Sequence, residues 1–130
     1  MNSELLSRIA ETLYWTGRYV ERADDTARLI DVYVHRMLGE TGADSDAACR
    51  ALFGILGVPV DPDAEQLDVD TVLFRLVFEA TTQSAIAGSM LGARAGARGI
   101  REVISSEMWE CLNVTAHRSE ERRVGKECVP

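Results

Sequence analysis

An all-α fold, a helical bundle fragment of four to five helices led by one long N-terminal helix, follows from three features of this sequence. Apolar or small residues recur at alternating steps of three and four from Leu6 to Met37, with no Pro among them. Gly88, Gly92 and Gly96 recur every four residues, with Ala85, Ser89, Ala93 and Ala97 beside them at the same step. That spacing lets a neighbouring helix approach closely. The third feature is the lack of strand partners. Residues 72–78 alone have a composition open to a buried strand or a helix, and no second strand is there to pair with them.

The elements follow in order. Residues 4–38 predict one helix, with Leu6, Ile9, Leu13, Thr16, Val20, Ala23, Ala27, Ile30, Val34 and Met37 facing inward. Ser3 suits its N-cap, Gly39 its end, and Gly17 is the weak point. At ~1.5 Å per residue the helix spans about 50 Å, long for a small domain and suited to a bundle. Residues 40–45 form a turn, 46–56 a short helix ended by Gly57, and the two prolines in 58–63 dictate a loop. Asp70 caps a helix over 71–80, with Leu73, Phe74, Val77 and Phe78 as its apolar face. The small-residue helix runs from Ser84 to about Ile104, and Ser105 or Ser106 starts the last.

The chain has 130 residues, 46% of them hydrophobic, which suits one small globular domain. Its net charge of −7 argues against a non-specific nucleic-acid binder, which needs a basic face. Cys49, Cys111 and Cys128 form no CxxC pair, and His35 and His117 stand alone, so neither a metal nor a disulfide framework is indicated. The sequence implies no cofactor. No stretch approaches the ~18 apolar residues of a membrane span, and the N-terminus lacks the apolar core of a signal peptide. Unpaired thiols suit a reducing cytoplasm.

The C-terminus differs in composition. Residues 1–117 hold ten Arg and no Lys, and the one Lys is Lys126. Residues 118–128 resemble an in-frame translation of a sequencing-library adapter. The expected division is therefore 1–117 as the domain and 118–130 as an artefactual, disordered tail with few contacts. A long helix without its full set of neighbours exposes apolar surface, so the chain is expected to self-associate.

Two constellations carry chemistry. Tyr14, Arg18, Glu21, Asp25 and Arg28 step by four, three, four and three, flanked by Trp15 and Arg22. The plain reading is a solvated face with local ion pairs of about 0.2–0.5 kcal/mol each. The functional reading is a polar seam that holds a ligand or partner. Arg94, Arg98 and Arg101 form the second set, at i, i+4 and i+7. Three guanidiniums on one face call for acids or an anionic ligand. Glu21 and Asp25 are the expected partners, with the small residues of the fourth helix bringing the two faces together. Trp15 and Trp109 read as packing anchors.

Residues 5–31, with Leu-Tyr-Trp-Thr-Gly-Arg-Tyr-Val-Glu-Arg at 13–22, resemble the opening of the bacterial alpha-E domain family. Residues 93–113, with Arg-Gly-Ile-Arg-Glu at 98–102 and Met-Trp-Glu at 108–110, resemble its second signature. The chain departs from that family in having Ala95-Gly96 and Asp24-Asp25 where Glu-Asn is usual. The resemblance implies an all-helical accessory or partner domain, associated with ATP-grasp peptide ligases and transglutaminase-like proteins. Two alternatives stand beside it. One is an amide-forming or amide-cleaving enzyme, with Glu21 as acid/base and the Arg set as anion clamp. The other is a truncated gene product without function.

Overall fold

The computed structural model describes residues 2–39, 42–63, 67–82 and 85–127, with the backbone alone at 42–44 and 122–127. Among these residues the chain is all-α. The first helix, α1 (Ser3–Leu38), is unbroken through Gly17. Its cap is Asn2 rather than Ser3: the Asn2 side chain accepts from the Glu4 N–H at 3.3 Å. At the other end the Gly39 N–H donates to the Arg36 carbonyl at 3.1 Å. Helix α2 (Gly42–Ile55) ends as Gly57 turns to a φ of 68°, a conformation glycine adopts without steric cost.

Asp68, not Asp70, caps the third helix. Its carboxylate accepts from the Thr71 N–H at 2.8 Å and the Thr71 hydroxyl at 2.7 Å. Helix α3 (Val69–Leu73) then widens into a π-helical turn, Phe74–Phe78, closed by the Glu79 N–H on the Phe74 carbonyl at 3.1 Å. The wider turn changes which side chains face in. Val72 and Leu76 are fully buried, while Phe74, expected inside, stands partly in solvent. Helix α4 (Ile86–Arg98) stops at Gly99, one turn and more before Ile104. Helix α5 (Ser106–Glu127) starts where the Ser105 hydroxyl accepts from the Met108 N–H at 3.1 Å. Ser84 lies outside the described residues.

Two clusters of buried side chains lie along α1. Its C-terminal half meets α2, α3 and the π turn through Ile30, Met37, Cys49, Leu52, Phe53, Val72 and Leu76. Its N-terminal half meets α4 and α5 through Ala23, Met90, Ala93, Ala97, Leu112 and Ala116, with Tyr19 and Trp109 at the edge. Cys49 belongs to the first core: burial pushes its thiol pKa up, and its Sγ donates to the Met37 sulfur at 3.0 Å. A thiol held protonated and enclosed is a packing group, not a nucleophile.

The inward face of α1 is rotated from the expected one. Thr16, Ala23, Ile30 and Met37 are buried as the spacing predicts. Their companions, however, are Thr12, Tyr19, Thr26 and Tyr33, while Leu6, Leu13, Val20 and Ala27 stand exposed. Swapping the +4 set for the +3 set turns the face by about 50° at 3.6 residues per turn. The close approach of α4 explains the shift. A Cβ at Gly92 would lie 3.1 Å from the Tyr19 ring, and one at Gly96 would lie 2.5 Å from the Thr16 hydroxyl. The missing side chains of Gly92 and Gly96 make room for the Tyr19 ring and the Thr16 hydroxyl on this face. The Thr12 and Thr16 hydroxyls are satisfied inside the helix, each donating at 2.8 Å to the carbonyl four residues back.

Of the expected tail, residues 128–130 lie outside the described residues. Residues 118–127 continue α5 without a break. Arg118 and Ser119 line a hollow with Val77, Phe78 and Thr115, and Glu120 reaches back to Arg94. Arg, Glu and Lys are strong helix formers, and helix elongation costs little once a packed helix has been started.

The Asp68 cap sets an acid limit on stability. Hydrogen bonds from the Thr71 N–H and hydroxyl hold its carboxyl below the ordinary value of 3.8. The Leu67 N–H and Arg50 do the same for Asp46, which accepts from them at 2.7 and 2.9 Å. A group with a depressed folded pKa stabilises the fold fully above its unfolded pKa. That stabilisation is lost as the pH falls through the folded value. Urea midpoints should therefore be level near neutrality and fall below about pH 4. Asp68→Asn should flatten part of that fall, and an unchanged acid limb in this variant would refute the assignment.

Candidate functional site

The polar ribbon of α1 forms the clearest site. Arg18, Glu21, Arg22 and Asp25 line a cleft of about 180 Å³ against Thr26 and Leu56, the residue that follows α2. Helical spacing puts the four charged groups on one side, and the end of α2 supplies the facing wall. Arg18 and Glu21 approach to 3.9 Å, a long and solvent-exposed pair. Arg22, half-buried, and Asp25 have no ion-pair partner among the described residues. Arg28 is drawn away, its Nε donating to the Asp24 carboxylate at 3.0 Å.

The second Arg set does not join this ribbon. Arg94 donates to Glu120 of α5 at 3.5 Å, and the Arg101 guanidinium lies 4.8 Å from the centre of the Trp109 ring. Arg98 is exposed and has no ion-pair partner among the described residues. The expected seam between Arg98 and the Glu21 and Asp25 carboxylates is therefore absent. On a helix of 3.6 residues per turn, Arg94 and Arg98 lie roughly 150° from Gly92 and Gly96, which meet α1, and Arg101 lies past the end of α4. The packing that brings α4 close to α1 turns its arginines toward α5 and solvent.

Trp109 is partly buried in the α4–α5 cluster. Trp15 is 47% exposed and packs on its helical neighbours, edge-on to Tyr14 at 5.5 Å and tilted to Tyr19 at 6.4 Å. The turned face of α1 leaves it outside. Thr26 and Leu56 were not among the candidate residues. A buried Thr in an apolar register hints at the first; nothing local marks the second, because the approach of α2 places it. No group of three or more His, Cys, Asp or Glu is placed to hold a metal ion among the described residues. No helix there is long and apolar enough to cross a membrane.

No curated protein matches the chain, and no solved structure does. A family model described as a predicted alpha-helical domain with a conserved ER motif matches residues 5–128. Glu-Arg occurs here at 21–22, in the cleft, and again at 121–122. With nearly its whole length matched and its structure all-helical, the chain belongs to the Alpha-E family.

Proposed function

We propose that this chain is an accessory domain whose Glu21–Arg22 cleft docks a partner protein. The size of the cleft carries this reading. Pockets that enclose a small-molecule substrate run from about 300 to 1,000 Å³. A cleft of about 180 Å³, open on one side, takes one or two side chains of a partner rather than a substrate and its reacting neighbour. Arg22 and Asp25 offer one charge of each sign to that partner, and each is free of ion pairs among the described residues. Glu21–Arg22 is then the Glu-Arg motif that the family description names. The partner class implied by the family resemblance is an ATP-grasp peptide ligase or a transglutaminase-like protein.

Calorimetric titration of an ATP-grasp ligase encoded beside an alpha-E gene tests this. Binding is expected, weakened about tenfold (~1.4 kcal/mol) by Arg22→Ala at unchanged helicity. No heat with either enzyme class would remove the reading. Amide turnover by this chain alone, lost in Glu21→Gln, would favour the catalytic alternative instead.

A further inference from the structure

We infer that the cleft takes an acidic side chain of the partner protein, its carboxylate on the Arg22 guanidinium and a neighbouring cation of the partner at the rim. The inference rests on the docking reading above and adds the sign of the occupant. Taken together the lining is neutral, with two guanidiniums and two carboxylates. Those charges are not evenly placed. Thr26 is buried and marks the side of α1 that faces the bundle. At 3.6 residues per turn, Arg22 stands about 40° from Thr26, Arg18 about 80°, Asp25 about 100° and Glu21 about 140°. The arginines therefore lie toward the floor of the cleft and the acids toward solvent. Exposure runs the same way. Arg22 is half-buried and Asp25 exposed, and the Arg18 side chain is 50% exposed against 65% for Glu21.

Arg22 is the group that calls for a ligand. A guanidinium drawn partly out of water costs free energy unless an acid meets it. Among the described residues none does: Glu21 leans toward Arg18 at 3.9 Å, and Asp24 is held by Arg28 at 3.0 Å. A carboxylate accepts two parallel N–H bonds from one guanidinium fork, which an ammonium cannot do. The methylene stem of an Asp or Glu then meets Leu56, the aliphatic wall. A cation in the same place would press on Arg22 and leave both acids behind it at the rim. A phosphate dianion would bring a second negative charge to Glu21 and Asp25. An acidic residue with a basic neighbour satisfies all four groups at once, acid inside and base at the rim.

The test follows the arginine Nε–H signals of the full chain by NMR, at constant ionic strength. The probe is glutamate capped as an acetyl amide, which carries only the side-chain carboxylate. Arg22 should shift saturably, with half-saturation on the order of tens of millimolar, as a single charge-assisted contact gives. Arg98, exposed and also without an ion-pair partner among the described residues, is the internal reference and should need at least about fivefold more probe. Arg22→Gln should weaken the response at Arg18 by about fivefold. Asp25→Asn, at an exposed position, reports the sign: it should tighten the probe about twofold, because a like charge leaves the rim. Circular dichroism verifies that each variant is helical. Looser binding in Asp25→Asn would overturn the inference, as would equal responses at Arg22 and Arg98. So would saturation by capped arginine or inorganic phosphate at lower concentration than by the glutamate probe. Free glutamate that binds where the capped residue does not would also overturn it, in favour of a small metabolite. These titrations need no ligase. Ligase binding with a silent Arg22 would remove the carboxylate and keep the docking, whereas a saturable Arg22 without ligase heat would do the reverse.

Discussion

Phe53→Ala is expected to lower stability by about 3–5 kcal/mol. Phe53 is the largest fully buried side chain and sits amid Ile30, Leu52, Val72 and Leu76, where three helices and the π turn meet. Truncation removes the transfer free energy of a ring and leaves a cavity that four elements cannot all move to fill. It also strips the Arg75 guanidinium of the ring face that it covers at 5.2 Å from the centroid. Domains of this size are stable by roughly 5–15 kcal/mol, so the variant should lose a large share of the total. Urea unfolding followed by circular dichroism measures the change. A loss below about 1.5 kcal/mol would mean that the site collapses onto the gap and that the core is elsewhere.

Gly88→Ala should cost about 2–3 kcal/mol, although alanine is the better helix former by nearly 1. A methyl at this position collides with the Thr82 carbonyl oxygen and stands 3.0 Å from that of Ala80. Both are backbone atoms of the bend that leads into α4. They cannot swing aside as a side chain does, because the bend is pinned by the Thr82 N–H on Glu79 at 3.3 Å and the Ala85 N–H on Thr82 at 3.0 Å. Gly17→Ala is the control. Nothing lies within 4 Å of its added methyl, so the same change should stabilise by about 0.5–1 kcal/mol. Equal effects at the two positions in paired urea melts would refute the steric account.

The contrast between these two glycines also marks how far the sequence could be read. The unbroken α1, the small-residue helix and the polar ribbon were legible because each is a periodic pattern within one element. The bend that makes Gly88 indispensable was not, since it depends on where residues 79–82 return. The choice of Tyr19 and Thr26 over Leu13 and Val20 had the same origin. Hydrophobicity favours Leu and Val, but the face that meets Gly92 and Gly96 carries Tyr19 and Thr16, and that meeting belongs to the pair of helices. The π turn at Phe74–Phe78 hid behind an ordinary apolar run. In the site, the residues of α1 were legible from their spacing. The Leu56 wall and the turning away of Arg94, Arg98 and Arg101 follow from tertiary approach alone.

The two clusters along α1, bridged also by Ile86, respond differently to temperature. Apolar area sets the heat-capacity increment of unfolding. The Phe53 end buries large aliphatic and aromatic side chains and carries most of that increment. The other end, though it holds Met90 and Leu112, relies more on Ala side chains and on the close approach of Gly92 and Gly96 to Tyr19 and Thr16, and draws more on dispersion, whose strength changes little with temperature. Cooling therefore loosens the Phe53 end first, because the hydrophobic driving force fades there. The Glu21–Arg22 cleft, walled by Leu56 from that end and floored by α1 from the other, lies across the boundary, so its shape follows the temperature-sensitive half while its charges ride on the steady one.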